Sequence, residues 1–221
     1  MLLDLPAIVA ALVAAAVGFA LGWWPLTRWA EHSMKHDRMP RRTIRIASAV
    51  TAGVAFSLLA WRVVAAGDYW LLPALLAFAA FATVLSIVDL AEKRLPNAVV
   101  FPALATVGVL LVPATWATGE WMRLVWALAG ASAMFIAYFV LALISPSSMG
   151  MGDVKLALAI GLLAGWFGLS AWLVALLAAF VIGGVISLIA LALRKVTLRG
   201  SIPFGPSMLA GAVVAVLLAA G

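Results

Sequence analysis

Between its clusters of charge this sequence runs repeatedly through long stretches without an Asp, Glu, Lys or Arg, and nothing else in it restricts the fold so severely. Helices that cross a bilayer need about 17–25 predominantly apolar residues. A membrane-spanning strand needs only about 10, with polar and apolar residues alternating, and the runs show no such alternation. The chain is therefore expected to be all-α and polytopic. Composition agrees: 67% of the 221 residues are hydrophobic and the mean hydropathy is +1.21, whereas a soluble globular chain is about half apolar.

Eight spans are expected, near residues 6–27, 44–66, 70–90, 97–116, 121–145, 153–169, 170–193 and 203–220. The division between the sixth and seventh, around Gly161, Gly165 and Gly168, is the one that the apolar pattern marks least. Loop charges then orient the whole. Arg28, Lys35, Arg38, Arg41, Arg42 and Arg45 follow the first span, Lys93 and Arg94 the third, Lys155 the fifth, and Arg194, Lys195 and Arg199 the seventh. Twelve basic residues thus face one side and only Arg62 and Arg123 the other, which predicts that the basic side is cytoplasmic and the N-terminus outside. Merging spans six and seven would carry Arg194, Lys195 and Arg199 across and spoil the bias. Trp23, Trp24, Trp70, Trp116 and Trp121 fall near span ends, as interfacial anchors do. Gly18 and Gly22, and Gly161 and Gly165, have the spacing that lets helices approach closely. Met1-Leu2-Leu3-Asp4 lacks the basic start of a cleaved signal peptide, so the first apolar stretch is expected to be retained. We read residues 1–221 as one integral membrane domain, with residues 1–66 forming N-terminal helices around a short basic loop and residues 70–221 a core.

The same inventory excludes several chemistries. With no cysteine there is no disulfide, thiol nucleophile or cysteine zinc site. The only histidines, His32 and His36, stand four apart amid Lys and Arg, a pattern read as a solvated basic face rather than a metal site. Neither a metal nor another cofactor is expected. The net charge of +6 is not a nucleic-acid footprint, because the basic residues lie at helix ends, where they set topology and meet lipid headgroups.

Against this background two carboxylates stand out. Asp89 closes an apolar run in Ser86-Ile87-Val88-Asp89-Leu90, and Asp153 lies in Gly150-Met151-Gly152-Asp153-Val154-Lys155 between two others. An acid near the centre of a membrane helix costs about 2–3 kcal/mol, less toward the interface, so such acids are functional candidates. Each also has a plain structural reading. Asp89 precedes Lys93 by the four residues that favour an ion pair on one helix face, in a helix that Pro96 stops by about Leu95. Asp153 follows a loop and fits the N-cap of the sixth span, its glycines supplying a turn. Together they say more. They reach the same predicted membrane face on different helices, 64 residues apart. Two close carboxylates cannot both ionise easily, so a pair shares one proton and titrates as a unit. The protonated member can polarise a scissile carbonyl while the ionised one activates water. A third segment, Gly200-Ser201-Ile202-Pro203-Phe204-Gly205-Pro206, reads either as a turn that starts a helix or as broken backbone lining a watery cavity.

These three segments resemble the type IV prepilin leader peptidases, intramembrane aspartyl proteases of the G-x-G-D class. Asp89 followed by Arg94-Leu95-Pro96-Asn97 is similar to the family's first catalytic aspartate with its downstream L-P-N or I-P-N. Gly150-Met151-Gly152-Asp153-Val154-Lys155 is similar to its second motif, and Ile202-Pro203-Phe204-Gly205-Pro206 to its C-terminal signature. The resemblance implies that Asp89 and Asp153 are catalytic, with Gly150, Gly152, Lys155, Pro96, Asn97, Pro203, Phe204, Gly205 and Pro206 in support. It implies a bacterial inner-membrane enzyme that cuts the short basic leader of prepilins or pilin-like pseudopilins at the cytoplasmic face, commonly after a glycine. Larger members also methylate the new N-terminus through a cytoplasmic domain with paired C-x-x-C motifs. Without cysteines this chain lacks that part, so peptidase activity alone is expected. Two other classes fit less well: a proton-coupled transporter, disfavoured because the acid motif has no inverted repeat, and an inactive relative serving pilus or secretion assembly, disfavoured because both aspartates are kept.

Overall fold

The computed structural model describes residues 4–36, 39–145, 149–193 and 202–219. The expectations that rest on Arg38, on Arg194, Lys195 and Arg199, and on Gly200 and Ser201 lie outside the described residues. Among the described residues every regular element is a helix. Helix α1 (Leu5–Leu21) runs through a π-helical turn (Gly22–Leu26) into α2 (Thr27–Ser33). There follow α3 (Arg41–Ala66), α4 (Leu72–Glu92, entered by a 3-10 turn at Tyr69–Leu71), α5 (Asn97–Thr118), α6 (Met122–Ile144), α7 (Met151–Trp166), α8 (Leu169–Ala192) and α9 (Gly205–Leu218). The chain is an all-α, multi-pass membrane protein.

Six of these stretches are long and apolar enough to cross a membrane: Leu5–Ser33, Arg41–Ala66, Tyr69–Glu92, Asn97–Thr118, Met122–Ile144 and Leu169–Ala192. The other two expected spans are helices as well, but α7 and α9 have only 16 and 14 residues. Both are buried along most of their length. A helix wrapped by other helices meets protein rather than hydrocarbon on its flanks, so its length need not match the bilayer. The lipid-facing helices show the opposite pattern. Leu12, Val109, Ile136 and Leu188 are each more than half exposed, as side chains solvated by acyl chains should be. Helix α4 lies at the centre: 61% of its most apolar window is buried, against 17% for α8.

One sequence expectation shifts. The first helical stretch continues to Ser33 instead of stopping near 27. Pro25 has no N–H to donate and would ordinarily break the ladder, but the chain absorbs it in a π turn. There the Thr27 hydroxyl donates to the Gly22 carbonyl at 2.6 Å. His32 consequently belongs to the last turn of α2. The division between the sixth and seventh spans falls at Gly168, whose φ of +101° only glycine adopts readily.

The small residues explain how the helices pack. A Cβ at Gly130 of α6 would come within 2.6 Å of the Gly161 carbonyl oxygen of α7, and one at Gly18 of α1 within 2.6 Å of the Ala52 carbonyl oxygen of α3. Backbones meet directly at both crossings. Without a hydrophobic force between helices in lipid, such close van der Waals contact is what holds the pairs α1–α3 and α6–α7 together.

Candidate active site

The end of α4 and the starts of α5, α7 and α9 converge at one end of the helix bundle. Helix α4 stops at Glu92, one turn past Asp89, because Lys93 turns into a left-handed conformation with φ of +53°. A non-glycine residue adopts that region at a cost of about 1–2 kcal/mol, so the turn needs support from its surroundings. Lys93 is therefore not a further residue on the Asp89 face of the same helix, as the i,i+4 reading had it. Pro96 then caps α5 and Asn97 is its first residue. In the turn between α4 and α5, Leu95 is 8% exposed and points back into the protein.

Asp89 itself is 4% exposed. Its Oδ2 accepts the backbone N–H of Gly205 at 2.9 Å, across 116 residues of sequence. Gly205 opens α9, with Phe204 as N-cap and Pro206 in the first turn, where a missing N–H does no harm. Pro203 precedes it in non-helical backbone. Phe204 is wedged between Phe180 of α8 and Tyr138 of α6, at centroid distances of 5.3 and 6.4 Å. That aromatic cluster seats the segment so that its next residue meets Asp89. A Cβ on Gly205 would sit 2.7 Å from Asp89 Oδ2.

Asp153 is half-buried at the third position of α7. The N-cap is Gly150, not Asp153; the carboxylate instead reaches back to accept the Gly150 N–H at 3.2 Å, the acid's half of a capping box. Gly152 packs against Leu95, to whose Cβ an added Cβ would stand 3.0 Å away. Lys155, one turn of helix from Met151, donates from Nζ to Asn97 Oδ1 at 3.1 Å and lies over the Phe101 ring. It ties the start of α7 to the start of α5. None of Gly150, Gly152 and Gly205 has a positive φ. Gly152 and Gly205 serve close approach, and Gly150 opens α7 from extended backbone.

The two carboxyl groups are near enough for the charge of Asp153 to act on Asp89. The same charge reaches Tyr138, which is 1% exposed and stacks on Phe180. Among the described residues no group of three or more His, Asp or Glu stands close enough to hold a metal ion.

The sequence model of the type IV leader peptidase family matches residues 76–188, about half of the chain. The chain belongs to the type IV leader peptidase family. No curated protein and no solved structure matches it. Membership brings a peptidase activity of the prepilin-leader kind and a multi-pass membrane setting. The matched residues include Asp89, Pro96, Asn97, Gly150, Gly152, Asp153 and Lys155 and stop short of the segment from Pro203 to Pro206.

Two residues at this end of the protein escaped the sequence reading. Tyr138 is one of only two tyrosines, and a hydroxyl in the middle of an apolar helix was the available signal. Glu92 was the other, an acid three residues past Asp89 whose side chain is only 3% exposed.

Proposed function

We propose that the chain is an intramembrane aspartyl endopeptidase in which Asp89 and Asp153 hydrolyse the leader peptide of type IV prepilins or pilin-like proteins. The observation that carries this reading is that two acids from distant helices lie at one end of the bundle, near enough for the charge of one to act on the other, with the Gly205 amide holding Asp89. The ionised aspartate takes a proton from water as the oxygen attacks the scissile carbonyl, while the protonated partner donates a hydrogen bond to the carbonyl oxygen. In the resulting tetrahedral intermediate the C–N bond breaks, and the departing amine receives a proton from the pair. One proton is therefore passed round the pair, and neither metal nor other cofactor is required. The basic residues at this end of the bundle support a cytoplasmic location for the site in a bacterial inner membrane. A basic leader cut at that face fits the same orientation. The absence of cysteine from the sequence supports peptidase activity without the methyl transfer of larger family members.

The test is processing of a co-expressed type IV prepilin, followed by N-terminal sequencing of the product. Cleavage by the wild type, and none by Asp89→Asn or Asp153→Asn variants that still insert, is the expected result. Substantial cleavage by either variant sinks the aspartate mechanism. Proton-driven solute flux in vesicles without cleavage would favour a transporter instead.

A further inference from the structure

The turn after α4 is strained, yet it sets the position of Leu95, the side chain that lies between the two motif glycines. A Cβ on Gly152 would meet Leu95 Cβ at 3.0 Å and one on Gly205 would meet Leu95 Cδ2 at 3.2 Å. Leu95 thus spaces the start of α7, which carries Asp153, from the start of α9, which binds Asp89. Something must hold the left-handed Lys93 turn in place, since no glycine stands there to favour it.

The structure offers Glu92. Its carboxylate is nearly enclosed, with a side chain 3% exposed. Oε1 accepts the backbone N–H groups of both Lys35 and His36 at 2.6 Å, and Oε2 accepts Arg94 Nε at 2.5 Å. The His36 ring nitrogen Nδ1 stands 3.7 Å from Oε1. Arg94 completes the bracket by donating from a terminal nitrogen to the Ser33 carbonyl at 2.7 Å. The bonds to Lys35, His36 and Ser33 cross from the α4–α5 turn to the end of α2 and the loop that follows it, more than fifty residues earlier. An acid whose oxygens are filled in this way has little capacity left for substrate. It can fix a backbone, because charge-assisted bonds in a largely desolvated place are strong and directional.

We propose that Glu92 is a positioning residue for the peptidase: with Arg94 it clamps the α4–α5 turn to the α2–α3 loop, and so holds Leu95 between the glycines beside the two aspartates. The proposal rests on reading Asp89 and Asp153 as the catalytic pair. It also makes the N-terminal helices, which lie outside the family match, part of what keeps the site in register.

The experiment reconstitutes the full chain in liposomes with a purified type IV prepilin and measures kcat and KM for Glu92→Ala, Glu92→Gln, Arg94→Ala and Asp89→Asn. Glu92→Ala should lower kcat about tenfold or more with KM nearly unchanged, as expected when reacting groups are misplaced and substrate binding is not. Glu92→Gln, which keeps an acceptor for the Lys35 and His36 amides, should recover most of that loss. Arg94→Ala, which leaves those two bonds intact, should lower kcat by about threefold, and it decides the matter if Glu92→Ala fails to insert. Wild-type kcat in every inserted variant at Glu92 and Arg94 overturns the proposal. So does a loss confined to KM, or one that Glu92→Gln does not relieve. Cleavage retained by Asp89→Asn overturns the aspartate reading itself, whatever the variants at Glu92 do.

Discussion

Asp89 and Asp153 reach the same end of the protein by different means. Asp153 lies in the first turn of α7, where the positive end of the helix dipole suits an acid, and its amide partner, Gly150, is three residues away. Asp89 lies in the last turn of α4, where the dipole opposes it. Its partner, Gly205, comes from 116 residues downstream. One carboxylate is held by its own helix start. The other is held only if α9, the aromatic cluster of Tyr138, Phe180 and Phe204, and the α4–α5 turn are all in place. Local geometry protects the first from distant changes, and tertiary packing exposes the second to many.

The comparison is broken most severely by removing either acid. Asp89→Asn and Asp153→Asn should each reduce prepilin cleavage by on the order of 10^3-fold or more, the size of a lost general acid or base, while membrane insertion persists. Equal and near-complete losses would show that the two aspartates act as a unit despite their unequal settings; a large loss at one and a small loss at the other would end the pair mechanism.

The three glycines then rank the two settings. Gly205→Ala puts a methyl group 2.7 Å from Asp89 Oδ2, which forces the carboxylate or the start of α9 to move. A displacement of about 1 Å costs about a hundredfold in rate, so kcat should fall by that order. Gly152→Ala meets Leu95 Cβ at 3.0 Å, a contact that a few tenths of an ångström relieve, and the loss should be nearer tenfold. Gly150→Ala finds Asp153 Oδ2 at 3.4 Å and the Gly152 nitrogen at 3.9 Å, both ordinary contacts, and its backbone is extended with φ of −78°. Its N–H still donates, so activity should stay within about twofold of wild type. Single-turnover cleavage across the three variants measures the order directly. A Gly150→Ala loss as large as that of Gly205→Ala would mean that the local setting is no more forgiving than the tertiary one.

Much of this protein follows from its sequence. Transfer of polar backbone into lipid is so costly that long apolar runs without period-2 alternation cross it as helices, and that argument needs no contacts at all. The glycine spacings of Gly18 with Gly22 and of Gly161 with Gly165 foretold close crossings, because absence of a side chain is itself the packing feature. The three segments that converge at one end were legible as motifs for the same reason: Gly, Pro, Asp and Asn are conspicuous against a background of Ala, Leu and Val.

Other features depend on partners that a linear reading does not pair. The plain structural reading of Asp153 as an N-cap gives way to Gly150, which starts the helix three residues earlier from extended backbone. The ion-pair spacing of Asp89 and Lys93 assumed a continuous helix, whereas the left-handed turn ends it between them. The short lengths of α7 and α9 follow from their enclosure, which the hydropathy of either segment does not reveal. Glu92 carries no motif of its own, and its amide partners come from the α2–α3 loop. Hydropathy and backbone sterics are properties of a residue and its neighbours in the chain, and they determine the helices and their ends. Which oxygen meets which distant N–H depends on how those helices pack, and that was decided in three dimensions.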